Sequence, residues 1–189
     1  MISVVIPVRA GGSPEITLRS LAAQTFTDFE VIVCRDQDLR GAPWARNRGA
    51  EMATGDSILF CDDDVRWIPK ALEILVGTLG KHPEASYSYG AYQCGDRVNS
   101  DREFDAAALR RMNFVSTMSL VRRSDHPGWD ESIKRLQDWD VWLTMLERGK
   151  VGVFCGIKVF ETDHRRGITY DGSISWQEAE AIVKRKHCL

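Results

Sequence analysis

Three consecutive carboxylates, Asp62, Asp63 and Asp64, are the residues of this 189-residue chain that most clearly suggest chemistry. They follow a short apolar run, residues 58–61, which is typical of a buried strand. Three adjacent like charges do not stabilise a strand end, so a structural role explains them poorly. Oxygen ligands at the carboxyl end of a strand suit Mg²⁺ or Mn²⁺, which share them with substrate phosphates. The alternative is a solvated acidic turn in which Asp64 caps the helix that starts near Pro69.

The positions of these acids and of nearby polar residues predict different roles for them. At an extended strand end, residues i and i+2 face the same way, so Asp62 and Asp64 can converge on one ligand while Asp63 points elsewhere. Asp36 follows the preceding strand and could accept a hydrogen bond from a base N–H or a ribose hydroxyl, unless it is only a turn aspartate. Arg46, in the next helix, could pair with phosphate, unless it lies on a solvated helix face.

A further pair of acids, Asp138 and Asp140, lies at the start of a predicted helix over residues 136–148. Helical spacing places Asp138 on the face of Val141 and Trp142, and it places Asp140 on the face that we expect to contact water. A carboxylate beside indoles and away from water has a raised pKa, which suits a general base. A helix N-cap aspartate is the structural alternative.

A basic cluster, His164, Arg165 and Arg166, precedes a glycine-containing loop. Histidine can supply a metal ligand, and adjacent arginines can hold a diphosphate. A basic surface turn is the alternative. Three other histidines carry no assigned role (His82, His126 and His187).

Alternating strands and helices in the first half of the chain must position these groups. Strands are predicted over three segments (residues 2–7, 30–34 and 58–61), and a helix follows each one (from residue 13, over 44–53 and over 69–79). This order predicts a parallel sheet with right-handed crossovers. The strand ends then bring Arg9, Asp36 and the three consecutive acids to one crevice.

The second half of the chain is less regular. Further strands are predicted over three segments (residues 86–92, 115–121 and 151–160). A short helix from Asp105 is predicted after a polar loop, and a last helix over 176–186 follows the capping box at Ser175. No repeat or linker is visible, so we expect one domain, residues 1–189, of the α/β class.

Composition is that of an ordinary globular protein, with 43% hydrophobic residues, 28% charged residues and a net charge of −2. Nothing in it indicates a nucleic-acid partner. Five widely spaced cysteines favour reduced, mostly buried thiols and a cytoplasmic location. The first strand leaves no room for a signal peptide, and no apolar run approaches the roughly 18 residues of a transmembrane helix. Peripheral membrane contact stays open.

Taken together, these residues resemble the GT-A type glycosyltransferases of family 2. The resemblance is carried by six ordered segments (residues 4–8, VVIPV; 21–33, LAAQTFTDFEVIV; 45–50, ARNRGA; 58–64, ILFCDDD; 128–131, GWDE; 137–143, QDWDVWL). It covers about residues 2–150, with a weaker match at His164. Each segment alone is common, but the ordered set is specific.

The resemblance implies a GT-A fold with a Rossmann-like, mostly parallel central sheet flanked by helices. About residues 1–92 would form the nucleotide-binding half and 93–189 the acceptor-binding half. It also implies inverting transfer from a UDP-sugar to a saccharide, lipid-linked or protein acceptor, with Mn²⁺ or Mg²⁺ as cofactor. Asp138 would be the catalytic base, and Asp64, Asp62 and His164 would hold the metal. The donor would contact the first strand end and the acids beyond it (Pro7, Val8, Arg9, Asp36, Arg46, Asp62 and Asp63), with Arg165 and Arg166 on the diphosphate.

The sequence departs from the family pattern at three places, one of which is Arg9, where a tyrosine or asparagine is common. Arg35 stands where a first acid is usual, and Gln137 replaces the glutamate that usually precedes the base. Two other functions remain open. A nucleotidyltransferase would release pyrophosphate, but Gly11 and Gly12 lack the lysine of its usual phosphate loop. A catalytically inactive nucleotide-sugar-binding protein would not need Asp138.

Overall fold

The computed structural model describes residues 1–163 and 174–189, so His164, Arg165 and Arg166 lie outside the described residues. The described strands are β1 to β8 in chain order (Ile2–Arg9, Phe29–Asp36, Ser57–Phe60, Val65–Trp67, Tyr87–Cys94, Arg97–Asn99, Leu120–Arg122 and Gly152–Thr162). The described α-helices are α1 to α6 (Glu15–Ala22, Ala42–Met52, Ala71–Lys81, Ala106–Arg111, Gln137–Glu147 and Trp176–Lys186).

The strands form one mixed sheet in the order β2-β1-β3-β7-β5-β8-β4, with β6 paired to β5. Strands β2, β1 and β3 are parallel, as the sequence predicts. Strand β7 runs antiparallel between β3 and β5, β8 is parallel to β5, and β4 is antiparallel to β8. Five of these eight strands therefore run in one direction, which confirms the prediction of an α/β fold with a mostly parallel central sheet.

Both faces of the sheet are covered, because the residues of β1 are apolar on both sides. Val5 packs in a cluster with residues of α2 and α5, whereas Val4 and Ile6 pack on the other face with residues of α1 and α3. All three side chains are fully buried. Burying one such side chain contributes about 1.5–3 kcal/mol, so this double coverage fixes the carboxyl edge where the acids lie.

At Gly49 the backbone of α2 packs directly against the sheet, with no side chain between them. A Cβ at this position would lie 2.2 Å from Cγ1 of Val5 and 3.1 Å from Sγ of Cys34. Only glycine allows this approach. The close contact sets the depth of α2, and therefore of Arg46, relative to the strand ends.

The predicted strand over residues 115–121 is mostly wrong, since β7 covers only Leu120–Arg122. Serine side chains bond locally in the preceding segment: Ser116 Oγ accepts from the Met118 N–H, and Ser119 Oγ donates to the Ser116 carbonyl. Such bonds compete with sheet pairing. Strands β4 and β6 were not predicted either, because each has only three residues and forms through a distant partner or a tight hairpin.

All five cysteines are free thiols, but only Cys34 and Cys61 are buried, so the expectation that most are buried is wrong. Burial raises the pKa of the Cys61 thiol well above its ordinary value. Of the helices in the described residues, none has the length and apolar character needed to cross a membrane.

Candidate functional site

The three consecutive acids lie in the connection after β3, with Asp63 and Asp64 in a turn. Strand β3 stops at Phe60, and Asp62–Asp64 connect it to β4. Buried Thr17 of α1 holds this turn, because its hydroxyl donates to the Asp62 carbonyl at 2.9 Å and accepts from the Val65 N–H at 2.9 Å. The i, i+2 strand argument for their directions is therefore wrong, although all three side chains are half-exposed towards solvent. Asp64 does not cap the next helix, whose N-cap is Lys70.

Arg46 connects this turn to the helix that carries Asp138. Its Nη2 lies 2.9 Å from Asp62 Oδ1, and its Nη1 donates to Gln137 Oε1 at 3.1 Å. The guanidinium also stacks over the Trp129 ring, 4.6 Å from the ring centroid. Only 6% of Arg46 is exposed, so a solvated helix face is not its environment. The positive charge instead compensates Asp62 inside the crevice.

Asp36 stabilises the turn after β2. Its two carboxylate oxygens accept from the Arg40 N–H at 2.9 Å and the Gly41 N–H at 2.6 Å, and the residue is 4% exposed. Gly41 has φ +108°, a conformation that favours glycine. This geometry supports the structural role, while contact with a nucleoside stays a prediction.

The end of β1 adjoins these acids. In the β1–β2 register Arg9 pairs with Asp36, and a Cβ on Gly12 would lie 3.1 Å from Asp63 Oδ2. Val8 is buried, Pro7 is half-buried and Arg9 is exposed. The ends of β1, β2 and β3 therefore lie side by side at one edge of the sheet, as the strand order predicts, while a shared binding crevice stays a prediction.

Asp138 lies in the first turn of α5, after Leu136, which occupies the N-cap position with φ +61°. The N-cap alternative for Asp138 is therefore wrong. Its Oδ1 accepts from the Trp139 N–H at 2.9 Å, and the Asn113 side chain forms a second hydrogen bond with the carboxylate. Burial raises the pKa of Asp138 above its ordinary value, and the Asn113 bond opposes that rise. A carboxylate with these contacts can act as a proton acceptor in the cleft.

Asp140 is buried, so the prediction that it faces water is wrong. It is 3% exposed, and its Oδ1 lies 2.9 Å from His187 Nε2 and 2.8 Å from Lys186 Nζ. The C-terminal end of α6 covers this face of α5 and supplies both partners. The helical periodicity of α5 cannot indicate that α6, almost fifty residues later in the chain, packs over the face that carries Asp140.

A cleft of about 260 Å³ opens at Asp138. It is lined by nine further residues (Tyr92, Asn99, Ser100, Arg102, Met112, Asn113, Phe114, Val115 and Ser116).

Tyr92 connects the cleft to the acidic turn. Its ring stacks on Phe160, with centroids 4.9 Å apart and planes 6° apart. Burial raises the pKa of Tyr92 to about 12, and the negative charges of Asp138 and Asp62 add to the rise. The phenol therefore lies in the field of both acids. The sequence predicted a strand here but no role for Tyr92, because its only signal is its place near a strand end.

A second cavity, of about 330 Å³, lies beside α2 and contains none of these acids. His126 lines it and contacts Phe60, with ring centroids 4.8 Å apart. Burial lowers the pKa of His126 to about 3, so the ring is neutral at physiological pH and accepts from the Gly128 N–H at Nδ1. These contacts give His126 a packing role.

The chemistry of the acidic turn fits a hard divalent cation. Asp62, Asp63 and Asp64 offer carboxylate oxygens that are partly open to the crevice. Residues 1–163 and 174–189 contain no cluster of three histidine, cysteine or acidic side chains arranged to hold a metal. Mg²⁺ and Mn²⁺ sites that share substrate phosphates often use only one or two carboxylates, so the turn still suits such a site.

The comparisons with known proteins agree on one family. The model of the family "Glycosyl transferase family 2" matches residues 22–130. An uncharacterized glycosyltransferase of Haemophilus influenzae is 24% identical, over 78% of this chain and 62% of the relative. The UDP-Glc:alpha-D-GlcNAc-diphosphoundecaprenol beta-1,3-glucosyltransferase WfgD of Escherichia coli is 26% identical, over 82% of this chain and 74% of its own.

Solved structures show the same fold. S. aureus TarS 1-349 in complex with UDP-GlcNAc aligns with TM-score 0.78 and 17% identity, over 98% of this chain and 65% of that chain. Glucosyl-3-phosphoglycerate synthase from Mycobacterium tuberculosis, in complex with Mn²⁺, UDP and phosphoglyceric acid, aligns with TM-score 0.64 and 19% identity, over 98% and 78%. The chain thus spans less than two thirds of the Haemophilus relative and of the TarS chain.

Proposed function

This chain belongs to glycosyl transferase family 2, and on that premise we propose that it is an inverting glycosyltransferase that moves a sugar from a UDP-sugar to an acceptor hydroxyl. The observation that carries the proposal is that Arg46 links the turn of Asp62 to the start of the helix that carries Asp138. Asp138 has a raised pKa in the cleft, and Asp62 lies in the neighbouring turn. Relatives named for UDP-glucose and structures with UDP or UDP-GlcNAc support this donor class.

Asp138 supplies the base in this proposal. It accepts the proton of the acceptor hydroxyl while that oxygen attacks the anomeric carbon of the donor. The bond from the anomeric carbon to the diphosphate breaks on the opposite face, so UDP leaves and the configuration inverts. Trp139 N–H and Asn113 hold the carboxylate, which keeps a basic oxygen directed at the cleft.

The donor lies along the crevice formed by the β1 end and the acidic turn. In this proposal Pro7, Val8 and Arg9 contact the nucleotide, and so do Asp36, Arg46, Asp62 and Asp63. Asp64, with Asp62 and His164, would hold Mn²⁺ or Mg²⁺, and Arg165 and Arg166 would contact the diphosphate. When bound, such a cation neutralises charge on the leaving diphosphate. A synthase of this fold is described with Mn²⁺, which supports the choice.

The acceptor occupies the cleft at Asp138. A relative named for a diphosphoundecaprenol-linked sugar supports a lipid-linked saccharide among the candidate acceptors.

The test compares Asp138→Asn with Asp140→Asn. Asp138→Asn keeps the shape but removes the base, so UDP affinity should survive and transfer should fall roughly 10²–10⁴-fold. Asp140→Asn should keep the rate constant of transfer at temperatures where it stays folded, because its partners are Lys186 and His187 of α6.

Steady-state transfer from UDP-sugars to a saccharide and lipid-linked saccharide panel measures this, with UDP affinity followed by calorimetry. Full activity of Asp138→Asn would exclude it as the base. Release of pyrophosphate from UTP and a sugar 1-phosphate, with no transfer from UDP-sugars, would indicate a nucleotidyltransferase instead.

A further inference from the structure

Arg102 lies on the wall of the same cleft as Asp138, in the connection between β6 and α4. Its guanidinium stacks on Phe114, with Cζ 4.8 Å from the ring centroid. Its backbone is fixed as well, because the Tyr89 hydroxyl donates to the Arg102 carbonyl at 2.9 Å and the Arg102 N–H donates to the Ser100 carbonyl at 3.1 Å. A guanidinium held in this way loses little conformational freedom when it binds a ligand.

Charge in the cleft is distributed over two residues. Asp138 is the one acid, and Arg102 the one lysine or arginine, among the described residues that line it. Asp101, Arg102 and Glu103 are all exposed to solvent, but of the three only Arg102 lines the cleft. None of the ion pairs within residues 1–163 and 174–189 includes Arg102. The hydrogen bond from the Ala108 N–H lowers the pKa of Asp105, and the charge of Arg102 adds to this effect from a longer distance. Stacking covers one face of the guanidinium and leaves its N–H edge available for an oxyanion.

We propose that Arg102 binds a phosphate or diphosphate group of the acceptor, while the reacting hydroxyl of the same acceptor faces Asp138. This inference rests on the proposed function, since it assigns the cleft to the acceptor. Arginine forms two parallel N–H···O bonds with phosphate, so it selects acceptors that carry this group near the hydroxyl. The substrate class is therefore a phosphorylated or diphosphate-linked hydroxyl compound.

The experiment measures binding to the protein saturated with UDP and Mn²⁺, which fills the donor diphosphate site. Two matched pairs serve as probes: glucose 1-phosphate with methyl glucoside, and glycerol 1-phosphate with glycerol. We expect millimolar binding of the phosphorylated member of each pair alone. Arg102→Gln should weaken that binding about 10- to 100-fold, the range for losing hydrogen bonds to a charged group.

Arg110→Gln is the matched control, because Arg110 is an exposed arginine of α4 that does not line the cleft. It should bind both phosphorylated probes as the unchanged protein does. Equal binding of phosphorylated and neutral probes, no binding of either, or an equal loss in both variants would overturn the proposal. Failure of the proposed function would differ, since UDP and Mn²⁺ would then not bind even to the unchanged protein.

Binding to vesicles distinguishes the two possible sources of this phosphate, a lipid and a soluble acceptor. Co-sedimentation with phosphatidylcholine vesicles, with and without phosphatidic acid, is compared between the unchanged protein and Arg102→Gln. Arg102-dependent sedimentation with phosphatidic acid supports a lipid phosphate, and binding of the soluble probes alone supports a soluble phosphorylated acceptor.

Discussion

Asn113 orients the carboxylate that we propose as the base. Its Oδ1 accepts from the Val115 N–H at 3.2 Å, so its amide NH₂ is directed at Asp138. This hydrogen bond favours the ionised carboxylate and lowers its pKa, against the larger effect of burial. Asn113 is thus a positioning residue whose contribution is visible in the pH dependence of transfer.

Asn113→Ala should shift the acidic limb of the pH–rate profile to higher pH. Loss of the donor raises the pKa of Asp138, and the base must be ionised to act, so activity appears only at higher pH. Asn113→Asp keeps an acceptor for Val115 but places a like charge beside Asp138, and its shift should be larger. The measurement is kcat/KM against pH.

Asn99→Ala is the control, because Asn99 lines the same cleft while its amide donates to the Arg97 carbonyl at 3.4 Å. An acidic limb that stays in place in both Asn113 variants would show that Asn113 does not tune the base.

At the scale of elements, Arg46 links α2, the β3–β4 turn and the start of α5. It contacts Asp62 and Gln137, and its guanidinium stacks over the Trp129 ring. Gln137 accepts a hydrogen bond from Arg46 but carries no charge. It therefore does not compete with Asp62 for the positive charge of Arg46. The donor and base sides of the crevice are therefore joined through one buried side chain.

Arg46→Gln should lower the free energy of unfolding by about 1–3 kcal/mol, because it leaves Asp62 and Gln137 without their donor. UDP affinity should fall in parallel. Arg48→Gln is the matched control, since Arg48 is exposed and forms a surface ion pair with Glu51 at 2.8 Å, and its change should stay within about 0.5 kcal/mol. Urea unfolding of the two variants measures the difference, and equal stabilities would refute the linking role of Arg46.

Helix α6 is attached to α5 and to the loop before it by charged contacts. Lys186 lies 2.7 Å from Asp130 and 2.8 Å from Asp140. His187 lies between Asp140, at 2.9 Å, and Glu147, at 2.7 Å. These contacts hold the face of α5 opposite the cleft, so they fix the helix that carries Asp138.

Asp130→Asn should make the free energy of unfolding fall less steeply as the pH is lowered. The hydrogen bond from Lys186, followed by those from Ser132, lowers the pKa of Asp130 from 3.8 to about 2. Since the folded value is the lower one, the carboxylate stabilises the fold above about pH 4, and this contribution disappears as the pH falls towards 2. Urea unfolding between pH 7 and pH 2 should show a flatter dependence for Asp130→Asn.

Asp96→Asn, which changes an exposed acid next to β6, should keep the pH dependence of the unchanged protein. A slope for Asp130→Asn that matches it would contradict the assignment.

At the scale of the whole molecule, one edge of the sheet collects the proposed donor groups. The ends of β1, β2 and β3 meet there, and α1 and α2 hold the acidic turn from two sides. A ligand that binds only the folded protein raises its stability by mass action. Donor binding at the proposed site should therefore change the melting temperature, which can be measured without an acceptor.

UDP with Mn²⁺ should raise the melting temperature, with about 2.7 kcal/mol of stabilisation at a ligand concentration of 100 times Kd. EDTA should remove most of the shift, and so should Asp64→Ala, because the diphosphate would lose its cation. Asp56→Ala, which changes an exposed acid next to the opposite end of β3, should keep the shift. An EDTA-insensitive shift retained in Asp64→Ala would disprove the metal dependence.

The sequence alone determined the central part of this fold. Apolar, β-branched runs make β1, β2 and β3 predictable: β1 and β3 are mostly buried on both faces, and β2, at the edge of the sheet, is buried at Ile32 and Cys34. The order of these strands and helices then predicts parallel pairing and a shared edge for Arg9, Asp36 and Asp62. The family resemblance depends in part on the same segments, since three of the six (residues 4–8, 21–33 and 58–64) overlap these strands.

Tertiary structure decided what depends on contacts between distant segments. Asp140 is buried because α6 covers it, and Arg46 is buried because Trp129 and Gln137 close around it. The short strands β4 and β7 exist through pairing with β8 and β3. Periodicity reports only which face of an element is apolar, whereas burial of a charge depends on the partner that reaches it, so these features follow from the packed molecule and not from local sequence.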